Sequence, residues 1–308
     1  MAGRKVKVAV VGAGYFGSVH CRKISAIQQA ELCAVVDHDE SRAHRATENT
    51  RARPLASHRQ LTGLADAAVV AVPTSQHYQV ARDLAELGIH LLVEKPLAAS
   101  TSQADSLCRL AEQRRIMLQV GHLERFNPLW RELVRQASKP RHIKVVRCGP
   151  YPGRGGDVDV VREVMVHDLD MVLKLAGAPP TSVSASGRSL CTPHLDRVET
   201  RISFASGLEA ELLASRNEDR TVRRVEIVDD RGSLLLDLVE RRLTRTISSG
   251  TSHEIACSTD EDPLYQQDLS FVLALCDGRR PAVSGREATR AVDLAEWVHR
   301  AASGEERH

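Results

Sequence analysis

"VKVAVVGAGYFGSVHCRKI", residues 6–24, decides the fold. Val6 to Val11 is an apolar run of strand character, it ends in Gly12-x-Gly14-x-x-Gly17, and the residues after it read as a helix. That order is the dinucleotide-binding fingerprint in the context it requires. Gly12 permits the tight turn, Gly14 lets the backbone approach a pyrophosphate, and Gly17 lets helix and strand pack closely. The pyrophosphate then meets the free N–H groups and dipole of a helix N-terminus. Tyr15 and Phe16 fall inside the turn and join the glycines as cofactor-contacting candidates. A second strand-like run, "AELCAVVD" (30–37), ends in Asp37, 20 residues after Gly17. An acid there accepts bonds from the ribose hydroxyls and repels a 2′-phosphate, which favours NAD over NADP. Arg42 lies near enough in sequence to accept such a phosphate, and a plain strand-end turn residue is the other reading of Asp37.

Working outward, strand and helix alternate. "AAVVAVPT" (67–74) is continuously apolar, as a parallel strand buried on both faces should be. Its end, Val72-Pro73-Thr74 with His77 three residues on, falls at the carboxyl edge of the sheet, where ligands gather in open α/β sheets. "QVARDLAELG" reads as a helix, "IHLLVEKP" as a strand, "SQADSLCRLAEQRR" as a helix and "IMLQV" as another strand. The pattern predicts a doubly wound parallel sheet over residues 1–122. After Pro140 the chain changes to short segments, many alternating apolar and polar, from "HIKVVRCG" to "RRLTRTISS". They predict a second α/β domain, residues 123–308, on a large open, mostly antiparallel sheet. Two final helices, "DPLYQQDLSFVLALCDG" and "REATRAVDLAEWVHRAA", are expected to return to the first domain. A sheet face left uncovered would need protection, commonly by another subunit.

Composition excludes several classes. Of 308 residues 42% are hydrophobic and 27% charged, which suits a soluble globular protein. Net charge is +2 with basic residues spread along the chain, so there is no nucleic-acid footprint. Seven scattered cysteines without a CxxC pair argue against a disulfide framework or a cysteine-rich zinc site, and reduced thiols in the cytoplasm are expected. The N-terminus lacks a cleavage pattern, and no apolar stretch approaches the roughly 18–20 residues of a membrane helix.

Two places hold candidate chemistry. Glu94-Lys95-Pro96 ends an apolar strand. Lysine is a poor base at its free pKa of about 10.4, but burial or a nearby cation can bring such a group toward ~7–8. A loop lysine paired with Glu94 is the alternative. Cis geometry at Lys95-Pro96 would aim the side chain sharply. The second place is "VVREVMVHDLDMVLKLAG" (160–177), a helical stretch in which Glu163, His167 and Asp170 fall at i, i+4 and i+7 on one face. Buried acids and a histidine on an otherwise apolar helix need partners or a task. His167 satisfied by Asp170 or a carbonyl is one bland reading. A metal is the other, but Glu163 and His167 lack an obvious third ligand, so no metal is expected.

GAGYFG, the strand ending in Asp37, VPTSQH, EKP, VGHLERFNP and HDLD, in this order, resemble the Gfo/Idh/MocA oxidoreductases. VGHLERFNP and MVHDLD look most like a narrower group, the UDP-N-acetylglucosamine 3-dehydrogenases. The resemblance implies a Rossmann domain, NAD as cofactor, a dimer or tetramer, and oxidation of a sugar 3-hydroxyl. The resulting ketone would pass to a pyridoxal-phosphate aminotransferase for lipid A precursors. It implies Lys95 and His167 as the catalytic pair, with Val72, Pro73, Thr74, His77, Glu94 and Pro96 beside the cofactor. Glu124, Arg125, Asn127, Glu163 and Asp170 would meet the UDP-sugar, and Arg216 with Asn217 its anionic part. Arg125 bridging through a carboxylate, and Arg216 as a solvated strand-end residue, stay open. The usual D-x-G-x-H is departed from at Glu163 and Met165, so the longer Glu163 either touches substrate or orients its neighbours. A free sugar or myo-inositol is the alternative substrate. A sensor that binds NAD without turnover would need neither Lys95 nor His167.

Overall fold

The computed structural model describes residues 4–151, 153, 156–257 and 260–304. The chain divides into two compact units, one of residues 1–123 and 262–289, the other of 124–261 and 290–308.

The first unit is the doubly wound half. In chain order it runs β1 (Val6–Val11), α1 (Tyr15–Ala26), β2 (Ala30–Val36), α2 (Glu40–Thr47), β3 (Arg53–Leu55), β4 (Ala67–Val70), α3 (Thr74–Glu86), β5 (His90–Glu94), α4 (Thr101–Arg114) and β6 (Leu118–Gly121). The strands form one sheet in the order β3-β2-β1-β4-β5-β6, and all its named pairs are parallel. Order reverses between β1 and β4, which is where such sheets open a crevice at their carboxyl ends. Val8, Val10, Val69 and Leu92 are fully buried, as expected for strands covered on both faces. β4 stops at Val70, short of the strand expected to reach Thr74, because Pro73 has no N–H for a ladder and instead leads into α3.

In the second unit, α5 (Pro128–Gln136) and β7 (His142–Cys148) come first. A π-helical turn, Val161–Met165, runs straight into α6 (Val166–Ala176). Then follow β8 (Pro180–Arg188), β9 (Arg197–Phe204), β10 (Glu209–Ser215), β11 (Val222–Asp229), β12 (Gly232–Asp237), β13 (Arg242–Ile247) and β14 (Ser252–Glu254). These eight strands make a sheet ordered β14-β13-β12-β11-β7-β10-β9-β8. It is antiparallel except for β7 with β10, which the long crossover through α6 brings together in parallel. Along β7, Ile143, Val145 and Arg147 are buried on the face that carries the core, while Lys144 is exposed. The core on that face gathers Leu133, Ile143, Met165, Leu169, Ile202 and Leu236.

Two helices close the chain. α7 (Pro263–Asp277) belongs to the first unit, where Phe271 and Val272 are buried with Val8, Val10, Ile24 and Ile27. The division between the units falls within α8 (Gly285–Ser303), at Thr289/Arg290. Among the described residues no helix is long and apolar enough to cross a membrane.

Candidate active site

The glycine turn is shaped by its backbone. Gly12 has φ +95°, and a Cβ there would stand 2.5 Å from the Ala71 carbonyl oxygen. A Cβ on Gly17 would lie 1.7 Å from the carbonyl oxygen of Gly12, so helix and turn touch at this point. Gly14 differs: a Cβ there meets nothing within 4 Å. It is the N-cap of α1, with no side-chain cap and no acidic residue in the first turn. The helix thus begins with open space at Gly14 and no side-chain cap, a cradle that a pyrophosphate fits. Tyr15 and Phe16 occupy the first turn as an edge-to-face pair, 68% and 41% exposed. Asp37 is buried at the end of β2; its carboxylate accepts the Ala13 N–H at 2.7 Å and the Asp39 N–H at 2.9 Å. That ties the acid at the end of β2 directly to the glycine turn. Arg42 is engaged at the surface, its Nε 3.2 Å from Asp39.

Val72, Pro73 and Thr74 lead from β4 into α3, and His77 lies buried in the first turn of that helix. Its Nε2 is 2.9 Å from the Val72 carbonyl oxygen and its Nδ1 2.7 Å from that of Pro96. Burial holds the His77 pKa below its ordinary value, so the neutral ring donates to one carbonyl at a time. His77 therefore links the turn after β4 to the turn after β5. The Lys95-Pro96 peptide is cis. Glu94, the last residue of β5, turns its Oε1 toward His20 Nε2 at 3.3 Å and Gln267 Nε2 at 3.2 Å. Neither partner was singled out by sequence reasoning.

The second unit carries the remaining candidates. Glu163 sits in the π turn, where the Val166 N–H reaches back to the Val161 carbonyl. This changes the rotation per residue, so the even α-helical spacing expected from Glu163 through His167 to Asp170 applies only to the last two. Such turns often mark functional sites. Asp159 anchors the turn, accepting from the Val161 and Arg162 N–H groups. His167 follows in the first turn of α6, and Asp170 one turn later is 1% exposed. Arg125 holds Asp170 through two bonds, 2.8 and 2.7 Å. Glu124 accepts from Arg147 at 3.1 Å, and Arg147 Nε donates to Asp168 at 2.9 Å. Burial alone would lower the Arg147 pKa, but the charges of Asp168 and Glu124 outweigh it and keep the guanidinium charged. Both acids of His-Asp-Leu-Asp, Asp168 and Asp170, are thereby fixed by arginines. Asn127 caps α5, accepting the Leu129 N–H at 3.0 Å, with Pro128 in the first turn. The Asn-Pro pair thus opens α5.

Arg216, next after β10, is buried. Its Nε donates to Asp196 at 2.8 Å, its Nη2 to Thr192 at 2.9 Å, and it lies 5.6 Å from the Tyr151 ring centre. Asp196 in turn accepts the backbone N–H groups of Leu190, Cys191 and Thr192. The guanidinium is thus built into the protein, where a solvated strand-end residue was the alternative. Asn217 bonds through its backbone N–H to Ser215 at 3.3 Å. Of the glycine-rich stretch 151–159, Pro152, Arg154 and Gly155 lie outside the described residues. No three His, Cys, Asp or Glu side chains are grouped to hold a metal among the described residues.

A family model described as "Oxidoreductase family, NAD-binding Rossmann fold" matches residues 6–122, and the "GFO/IDH/MocA C-terminal domain" model matches 140–235. UDP-N-acetylglucosamine 3-dehydrogenase of Acidithiobacillus ferrooxidans is 35% identical over 224 residues, 72% of this chain and 71% of that protein. The solved structure of that enzyme superposes with a TM-score of 0.91 at 30% identity, covering 98% of this chain and 99% of the other. The scyllo-inositol 2-dehydrogenase (NAD(+)) of Bacillus subtilis is 27% identical, over 92% of this chain and 90% of its own.

Proposed function

For this chain, which belongs to the Gfo/Idh/MocA family of NAD-dependent oxidoreductases, we propose oxidation of the 3-hydroxyl of UDP-N-acetylglucosamine to a ketone. The observation that carries this substrate is the 35% identity, over 72% of the chain, to an enzyme of that name. Oxidising a secondary alcohol removes a hydride and a proton, and the nicotinamide, when bound, takes the hydride. The other steps fall to the protein's residues. The N–H groups that open α1 hold the pyrophosphate, and Asp37 holds the ribose hydroxyls. The Lys95 amine receives the hydroxyl proton, and His167 passes it on. Glu163 and Asp170 orient the sugar, Asp170 in the fixed position that Arg125 gives it. Arg216 serves the substrate by ordering the loop at 189–196. The ketone then suits a pyridoxal-phosphate aminotransferase that makes an amino sugar for lipid A precursors, in the cytoplasm.

The test is to mix the protein with NAD and UDP-N-acetylglucosamine and follow nicotinamide reduction. Reduction is expected, with the sugar nucleotide lighter by about two mass units, as loss of two hydrogens requires. No reduction and no binding of the UDP-sugar by calorimetry would reject this substrate. The inositol dehydrogenase likeness makes free cyclitols and sugars the second reading, and activity on myo-inositol without UDP-sugar binding would establish it.

We also propose that the chain forms a homo-oligomer through the outward face of the second unit's sheet. There Glu199, Arg201 and Glu211 alternate in sign beside Lys144, and Arg201 Nε lies 3.1 Å from Glu211. A face of mixed charge can pair with its own copy across a twofold axis. Sedimentation velocity is expected to show a dimer or tetramer, weakened by Arg201→Glu. A monomer at micromolar concentration would refute it.

A further inference from the structure

At one end of the second unit's sheet two arginines face each other across neighbouring strands, and only one of them is matched by acids. Arg147 on β7 and Arg223 on β11 are paired in register, their Cα atoms ~5 Å apart as in any antiparallel pair. Both lie on the face that carries the core: Val145 precedes Arg147 on it by two residues, and Val225 follows Arg223 by two. Like charges directly opposite each other weaken a sheet, so each needs a counter-charge.

Arg147 has two. Its Nε lies 2.9 and 3.0 Å from the oxygens of Asp168, and its Nη1 and Nη2 lie 3.1 and 3.2 Å from Glu124 Oε1. The second Glu124 oxygen accepts from Asn127 at 3.3 Å. Every oxygen of the two carboxylates is therefore engaged without Arg223. On the other side of Arg223 stands Leu238, just past β12, whose N–H donates to the Arg223 carbonyl at 2.9 Å and whose side chain packs on the core. Arg216, the third arginine at this end, is anchored by Asp196 at 2.8 Å. Among the described residues, Arg223 alone of the three has no hydrogen-bonded acid. Although Arg223 is exposed as a whole, burial against the protein and then the Arg147 charge hold its pKa below the ordinary guanidinium value. Glu124 and Asp168 offset them only in part.

Asp168, which Arg147 grips, is next to His167 in the first turn of α6. Arg223 is thus one strand away from the arginine that holds the neighbour of His167. In a nucleotide sugar oxidised at C3 the diphosphate begins at C1, two carbons round the ring, so it must fall within a sugar's width of the groups that handle the 3-hydroxyl. Small residues border the arginines there: among the described residues a Cβ on Gly149, just past β7, would meet only Thr221, at 3.4 and 3.9 Å. We propose that Arg223 binds the diphosphate of the nucleotide sugar, and so selects a nucleoside diphosphate sugar over a free sugar or cyclitol. Its planar fork offers two parallel N–H bonds to phosphate oxygens, and the incoming anion offsets the opposition of Arg147 and Arg223. This rests on the reading of the substrate as a UDP-sugar, and it gives the anionic part to Arg223 where the sequence pointed to Arg216.

The full-length protein with NADH present is titrated with UDP by calorimetry, as the parent and as Arg223→Gln, Arg223→Lys and Arg231→Gln. UDP carries the diphosphate without the reacting sugar, so this arm does without turnover. Its Kd is expected to rise ~30-fold in Arg223→Gln and ~5-fold in Arg223→Lys, which keeps the charge but loses the fork. Arg231 lies in the turn after β11, at the strand's other end. Its replacement removes an equal charge more than a screening length away, and UDP affinity should hold within about two-fold. Raising salt should weaken UDP binding to the parent more than to Arg223→Gln, because screening acts on the charge that the variant lacks. Without UDP, the melting temperature of Arg223→Gln should equal or exceed the parent's, since the opposed cation is gone. In turnover the loss should fall on KM for UDP-N-acetylglucosamine, with kcat within about three-fold and NADH affinity unchanged.

UDP binding unchanged in Arg223→Gln would overturn the proposal. So would NADH affinity falling as far as UDP affinity, which would put the arginine on the cofactor's pyrophosphate. A lower melting temperature in Arg223→Gln with the salt dependence unchanged would make Arg223 a packing residue, its stem and not its charge being what the fold uses. If Arg223→Gln does not fold, Arg223→Lys decides. A parent that binds neither UDP nor UDP-N-acetylglucosamine would end the nucleotide-sugar reading and the proposal with it, whereas a parent that binds UDP no better than its Arg223→Gln variant sinks the proposal alone.

Discussion

Replacing Lys95 with alanine is expected to lower turnover by ~1000-fold, within the range that a positioned acid–base group supplies, while affinities for NADH and the UDP-sugar hold within about three-fold. The separation follows from where the residue sits. Lys95 lies just past β5 and contributes nothing to the apolar core of the first unit, which rests on Val8, Val10, Ile24, Leu92 and Phe271. The cofactor's pyrophosphate and ribose are served by the α1 turn and Asp37, residues far from it in sequence. Lys95→Arg is expected to be as inactive as the alanine variant, because a guanidinium stays protonated and cannot accept the hydroxyl proton. Steady-state kinetics alongside NADH fluorescence titration would check both. Turnover unchanged in Lys95→Ala would remove the lysine from the chemistry. Parallel loss of turnover and NADH affinity would make it a cofactor ligand only.

The first unit was legible because its signals are local. A strand, a glycine turn and a helix occupy consecutive residues, and an acid at fixed distance completes them, so β1, α1, β2 and Asp37 lie where periodicity places them. The sheet class of the second half was legible for a similar reason, since alternation marks each strand by itself. Its pairing was not, because β7 meets β10 only through a crossover of more than fifty residues that no local pattern encodes. The charged groups that support the candidate site were the least legible. Asp268 reaches His20 across 248 positions of chain, and nothing near Asp268 in sequence singles it out from the other polar residues of α7. Arg147 did carry a signal that went unread: it continues the inward series Ile143, Val145, and a charge on the buried side of a strand announces a buried partner.

Gly17→Ala is the substitution for which the largest loss of stability is expected, and its comparison with Gly14→Ala separates the fold of the turn from its ligand. A methyl on Gly17 would lie 1.7 Å from the Gly12 carbonyl oxygen and 2.8 Å from its carbon. Both are backbone atoms, and Gly12 is itself pinned, with φ +95° and the Ala71 carbonyl directly behind it. The turn cannot yield, so α1 must move away by more than an ångström. That movement pulls Cys21 and Ile24 out of the core they share with Val8 and Phe271, and stretches the bonds from His20 to Asp268 and Glu94. Overpacking of this kind costs ~3 kcal/mol, which in a unit of this size lowers Tm by about 10 °C. With the helix N-terminus displaced, NADH affinity should fall by ~100-fold or more, the equivalent of a little under 3 kcal/mol. Gly14→Ala places its methyl in open space, so the melting temperature should stay within about 1 °C of the parent's, as surface substitutions do. Its NADH affinity should still fall, by ~10-fold, because the methyl occupies the approach to the pyrophosphate. Thermal melts and fluorescence titration of the two variants give four numbers. Equal loss of Tm in both would mean that Gly14 is structural, and normal NADH binding by Gly14→Ala would mean that the pyrophosphate lies elsewhere than at the start of α1.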